Sequence, residues 1–343
     1  MKKENVLLLS LDERWQTYRL QFKTCRKEFS NEALHDLRVA TRRLLAVLDI
    51  ARTLAPRPHI QKIRRILKGQ LDSLDDLRDV QVMLADSAKL LENQTAASAL
   101  LLLLTEKEKR LLRTARKEIK NFKAGDLKKR MERVRAVVEK SVRAAGYEER
   151  LLGAVDQAFG RANQLYGQMD AAQPATIHKL RIAFKKFRYM TEIVHPLLPE
   201  YPKTLLEYMR EYQNRMGDIQ DVTILINTIH DLTEAGADLG DIISAQRALE
   251  QHRQERIAAC MENKEELFTF WRAQPDLPFP WEKANEPIHY PSRHRLPGGS
   301  RRGGQPAPVD QKGATENAQD CPGNEETGSP SGLDSDQSIL ASA

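Results

Sequence analysis

The chain has 343 residues, 41% hydrophobic and 30% charged, with aromatics at only 6% and a formal net charge of +6. That apolar fraction can fill a core, which excludes wholesale disorder, and a palette rich in Leu, Ala, Arg, Lys and Glu excludes sandwiches and barrels in favour of long surface helices. Three scattered cysteines, Cys25, Cys260 and Cys321, form no CxxC pair. Neither a zinc site nor a disulfide framework is indicated, and the thiols point to a cytoplasmic compartment.

The N-terminal Met1-Lys2-Lys3-Glu4 leads into a few apolar residues before Asp12 and Glu13. That stretch is too short for a signal peptide or a membrane span. Apolar residues then recur with a 3.6 period, and no alternating segment is bounded by turn residues. Helices are expected over 4–28, 31–54, 60–92, 95–121, 125–145, 148–169, 174–196, 202–233 and 238–272. Ala55-Pro56-Arg57-Pro58 is a break, and Pro196 with Pro199 ends another helix. His59 and His195, beside these prolines, read as loop residues. Short connections between long helices imply antiparallel bundles. From Ala284 onward the texture turns to Pro, Gly and polar residues, with 5 basic against 8 acidic side chains. This 284–343 tail is expected to be disordered, with a partner-binding arm as the lesser alternative. The 1–283 body holds 49 basic and 40 acidic residues.

An internal repeat organises the body. Leu34-His35-Asp36-Leu37-Arg38-Val39-Ala40-Thr41-Arg42-Arg43-Leu44 matches Ile177-His178-Lys179-Leu180-Arg181-Ile182-Ala183-Phe184-Lys185-Lys186-Phe187, at an offset of 143 residues. Leu74-Asp75-Asp76-Leu77-Arg78-Asp79-Val80 matches Met216-Gly217-Asp218-Ile219-Gln220-Asp221-Val222, at an offset of 142. Two ordered matches at nearly equal offsets argue for similar halves, about 4–145 and 148–275. The repeated charges matter, because core packing alone would repeat only apolar positions.

A helical wheel at about 100° per residue puts Arg38 and Arg42 on the face of His35, with Leu37, Ala40, Leu44 and Leu48 opposite. His178, Arg181, Lys185 and Arg188 likewise share a face, opposite Leu180, Ala183, Phe187 and Val194. Charge removal on these faces is therefore expected to disturb the core little. Like charges at this spacing repel, so acids or a bound anion must offset them. On the helix of the second block Lys68, Asp72, Asp76 and Asp79 form one stripe, and Arg210, Asn214, Asp218 and Asp221 form its equivalent. Asp79 and Asp221 read as carboxylates that each anchor an Arg of a neighbouring helix. General acid/base or metal chemistry is the alternative, but two acids without further ligands make no metal site.

The HxxRVxxRR…LxxxRDV pattern, present twice, resembles the CHAD domain, the conserved-histidine α-helical domain. The resemblance covers about residues 4–275. It implies an all-α fold of two pseudo-symmetric antiparallel four-helix bundles facing each other across a basic cleft. It also implies binding of inorganic polyphosphate, with possible roles in granules or phosphate homeostasis. Residue by residue, it points to His35, Arg38, Arg42 and Arg43 in the first half, and to His178, Arg181, Lys185, Lys186 and Arg188 in the second. Lys68 and Arg210, from the stripes on the helices that carry the second block, are added to this expected ligand set. Two departures stand out: Leu45 replaces a further Arg of the family pattern, and Asp75 replaces a Gly that Gly217 keeps. Glu106-Lys107-Glu108-Lys109-Arg110 is the nearest approach to the ExExK strand of a fused triphosphate-hydrolysing domain. It ends in Arg inside a helical stretch and reads as a solvated face.

Residues 107–143 carry 15 basic against 5 acidic side chains, an excess that favours anion steering over a merely solvated face. Three functions compete. A non-enzymatic polyphosphate-binding module fits the repeated cations directly, needing no cofactor and no metal. An RNA- or DNA-binding helical protein is permitted by the basic balance, but the repeated faces lack interleaved aromatics for base stacking. A phosphatase or phosphotransferase would need a GxxxxGK[ST], an HExxH or a dense acidic set, and none is visible.

Overall fold

A computed structural model of the protein describes residues 6–90, 96–198, 200–202, 204–236 and 242–282. The expected 284–343 tail and Cys321 lie outside them. The described residues form ten α-helices and three short 3₁₀ turns, and no strand occurs among them. The described residues fall in one compact unit. No described helix is long and apolar enough to cross a membrane.

The first helices are α1 (Val6–Glu28), α2 (Asn31–Leu54), α3 (Pro58–Asp72), α4 (Asp75–Leu90), α5 (Ala96–Asn121) and α6 (Ala124–Val142). Ser30 caps α2 by accepting a hydrogen bond from the Ala33 amide at 3.1 Å. Pro58 opens α3, where its missing N–H has no partner to lose. The packing of α1 on α2, α2 on α3, α3 on α6 and α6 on α1 closes a four-helix ring. Its interior takes Leu11, Tyr18, Leu37, Leu44 and Ile63, all buried.

The remaining helices are α7 (Tyr147–Tyr166), α8 (Pro174–Val194), α9 (Leu205–Glu234) and α10 (Ile242–Glu262). Gly146 leads into α7 with a left-handed φ of 65°, a conformation that suits glycine. The α9–α10 pair packs against the α4–α5 pair around Val80, Met83, Leu104, Val222, Leu225 and Leu249. The two expected halves therefore share a core. Helix α8 lies on α7 and α9 and also touches α1 and α2. Its aromatic side meets the segment after α10: Phe184 stands 5.5 Å from Phe270, and Phe187 stands 5.6 Å from Trp271, ring centre to ring centre. Trp271 Nε1 and the Arg272 guanidinium both donate to Asp156 of α7.

Three expectations need correction. The helix expected over 60–92 is two helices, because the chain turns at Ser73 and Leu74. There the Ser73 hydroxyl donates to the Gln70 carbonyl at 3.1 Å, competing with helix continuation. His59 sits in the first turn of α3, and His195 in a 3₁₀ turn, not in irregular loops. The last expected helix stops at Glu262, and a 3₁₀ turn covers Lys264–Thr269. Cys25 and Cys260 are buried free thiols, and burial pushes both up to about 11.

Phe187 is fully buried among Phe159, Phe184 and Trp271. Its replacement by Ala is expected to cost about 3–5 kcal/mol in a denaturant titration. Leu44→Asp places an unpaired charge in the first ring and is expected to prevent folding, read by circular dichroism.

Candidate functional site

The first repeat block sits on α2 and its partner block opens α4. Arg38 is 5% exposed and joins the broken helix on both sides of its turn. Its Nη1 donates to the Leu71 carbonyl at the end of α3 at 3.3 Å, and its Nη2 to Asp75 Oδ1 at the start of α4 at 2.7 Å. Arg42, one turn on, reaches the same Asp75 oxygen at 3.9 Å. In the second half, α9 runs unbroken through the equivalent position, which is Gly217. A Cβ there would stand 3.2 Å from Arg181 Nε and 3.3 Å from its Nη2. The Arg181 side chain therefore lies against the bare glycine backbone, as Arg38 lies against the α3–α4 turn. The Asp-for-Gly departure in the first half thus supplies Arg38 with a carboxylate.

The two repeated faces meet. Lys185 of α8 is driven down to about 7 by burial first, then by Arg42 of α2 and by Arg181, with Arg38 adding to the effect and Asp75 opposing it. His35 is lowered by burial, then by Arg78, Arg42 and Arg38, against a smaller pull from Asp36. His178 is lowered by burial, Arg181 and Lys185. At neutral pH both imidazoles are thus held toward the neutral form, and a lysine in the same cluster sits near its midpoint. Such crowding of like charge marks a place where a counter-ion is wanted.

Not every expected ligand joins the cluster. Arg188 is 5% exposed; it donates to Glu192 at 2.5 Å and to Gln213 at 3.0 Å, and it covers the Tyr189 ring. It braces α8 on α9 and is not a surface cation. Arg38 is buried in the same way, so neither residue fits the expectation that its charge can be removed without disturbing packing. Lys68 pairs along its own helix with Asp72 at 2.6 Å. Lys186 stands 3.9 Å from the buried Asp49, which also holds Arg64 of α3. Arg43 is half-buried on α2, and Arg210 is exposed on α9. Arg78 was missed: it faces His35 from α4, and only its replacement by Gln220 in the second block hid it. Among the described residues, His230, Asp231 and Glu234 bring ligand atoms within 4.8 Å of one another at the exposed end of α9, away from this cluster.

The carboxylate that hydrogen-bonds Arg38 directly is Asp75, while Asp79 of the same helix interacts with Arg38 electrostatically. Asp79 is itself raised, by burial first and then by Asp75, with Asp221 adding to the effect and Arg38 only partly offsetting it. A carboxyl raised in the folded state weakens folding while it is ionised, and the penalty fades as pH falls through its folded value. Asp79→Asn is therefore expected to leave the melting temperature at pH 7 unchanged or higher. Asp75→Asn is expected to lower stability by about 1–2 kcal/mol, less than for a fully buried pair because Asp75 is half-exposed. Paired melting curves at pH 7 check both.

No curated protein matches this chain. Its fold is similar to that of the CHAD domain from the plant Ricinus communis, with a TM-score of 0.55 and 17% identity over 78% of this chain and 89% of that one. A model of the CHAD domain matches residues 10–230, the span that holds α2, α4, α8 and most of α9. The chain belongs to the CHAD domain family.

Proposed function

We propose that the protein binds inorganic polyphosphate, without catalysis, in a basic cleft where the repeated faces of α2 and α8 meet. His35, Arg42, Arg78, His178, Arg181 and Lys185 are the contacting groups, and Arg38 positions the α2 face through Asp75. The observation that carries this reading is Lys185, a half-buried lysine placed among Arg42, Arg38 and Arg181 from both repeat blocks. A flexible chain of phosphates supplies what this cluster lacks, a dense line of negative charge with no base to read. Arginine forks engage phosphate oxygens bidentately, and the lysine and the imidazoles take up protons beside them. Nucleic acid fits less well. Phe184 and Phe187 of the α8 block are fully buried, and Tyr189 is covered by Arg188. Exposed Arg113, Lys117, Lys120, Lys128, Lys129 and Arg133 on α5 and α6 extend the positive field that would draw the polyanion in. On this reading the protein works in the cytoplasm, on polyphosphate stores.

The test is a titration with long-chain polyphosphate, RNA and DNA across salt and pH. Polyphosphate is expected to bind tightest, with affinity falling steeply as salt rises. Binding raises the Lys185 value from about 7, so protons are taken up above that pH. Affinity should therefore strengthen as pH falls from about 9 to 7, with the histidines extending the trend below 7. Lys185→Gln should remove the upper limb of this dependence and weaken binding roughly 10-fold. The same change should raise the ligand-free melting temperature, since it relieves repulsion. Equal affinity for RNA, or an unchanged affinity in Lys185→Gln, contradicts the proposal.

A further inference from the structure

Two neighbouring lysines of α8 stand in opposite surroundings. Lys186 is 45% exposed, and its Nζ stands 3.9 Å from Asp49 of α2, a buried carboxylate. Lys185 is half-buried, and among the described residues no ion pair or hydrogen bond ties its amine. Its company is cationic. Arg181 precedes it by one turn on the same helix face, and Arg42 and Arg38 act on it from α2. Asp75 of α4 pulls the other way, but that carboxylate is engaged with Arg38 at 2.7 Å and approaches Arg42 at 3.9 Å. Such surroundings favour the neutral amine, and a desolvated lysine beside other cations is an activated nucleophile.

We propose that Lys185 is an acylation site, at which small acyl phosphates transfer their acyl group to the ε-amine without another enzyme. This site rests on the proposed anion cluster of α2 and α8 and adds a way to regulate it. Arg42 and Arg181 hold the phosphate of the donor through forked contacts, which brings the acyl carbon to the amine. The neutral nitrogen attacks that carbon, a C–N bond forms, and the C–O bond to the phosphate breaks. The phosphate leaves with the electron pair and takes the proton that the nitrogen sheds. The products are a neutral amide on Lys185 and hydrogen phosphate, so no oxidant or further substrate is needed. The amide removes the lysine charge from the centre of the cluster. Acylation thus leaves the chain in the state that Lys185→Gln imitates, with weakened hold on an anion.

The test exposes the full chain, without polyphosphate, to acetyl phosphate at pH 7 and maps acetylated lysines by mass spectrometry over time. A parallel reaction uses acetic anhydride, an uncharged donor. Exposure alone ranks Lys186 ahead of Lys185. With acetyl phosphate the order is expected to reverse, Lys185 reacting at least about 10-fold faster, since an amine with its midpoint at about 7 is far less charged at that pH than an ordinary lysine. The preference is expected to shrink with acetic anhydride, and in Arg42→Gln with acetyl phosphate. Acetylation of Lys185 no faster than that of Lys186, or an equal preference with both donors, overturns the proposal. Added long-chain polyphosphate reads the proposed function separately. Protection of Lys185 supports that reading, and a Lys185 that reacts first but is not protected counts against that reading alone.

Discussion

Everything about this fold bends around one electrostatic problem: two helices from the two repeat blocks bring their cations against one another. Lys185, Arg42, Arg181 and Arg38 occupy one neighbourhood, and the lysine is pushed down to about 7 by burial and by those arginines. Left alone, such a cluster would splay α2 from α8. It is held by neutral packing behind it and by a small number of placed carboxylates. Phe184 and Phe187 fix α8 from its aromatic side, while Leu37 and Leu44 fix α2 from its own. Asp75 then ties Arg38 and Arg42, and Asp49 lies between Arg64 and Lys186. These acids restrain the cations without neutralising all of them.

The two pairs of matching sequence blocks solve the same steric problem differently. An arginine from the first block must lie along the second block's helix. In one half the helix stays whole, and Gly217 leaves room for Arg181. In the other the helix breaks at Ser73, and Arg38 takes both the carbonyl released at Leu71 and the carboxylate of Asp75. The break thus gives the Arg38 guanidinium two acceptors, and the glycine gives the Arg181 side chain room to lie against the helix. One change of residue type therefore accompanies a change of helix continuity.

Periodicity made the helices legible, since apolar stripes at 3.6 residues survive any tertiary arrangement. The repeated HxxR blocks marked α2 and α8 for the same reason: charges are not repeated by packing alone. The α3–α4 break was not legible, because Ser73 and Leu74 interrupt no apolar stripe and carry no Gly or Pro. Burial of Arg38 and Arg188 was hidden too. A wheel places a residue on a face of its own helix, but not against the neighbour that covers that face. The ion pairs of Asp49 and Asp75 were not legible, because their partners lie on other helices, at separations that sequence spacing does not encode. The union of α4–α5 with α9–α10 in one core is likewise a tertiary fact, invisible to local pattern.

The account stands or falls on where a bound polyphosphate lies. The most direct measurement is a crystal structure of the chain with a long-chain polyphosphate. Phosphate density running between α2 and α8, with oxygens on Arg42, Arg181 and Lys185, is the predicted result. Density confined to the exposed lysines and arginines of α5 and α6, with the α2/α8 cluster left unengaged, would contradict it.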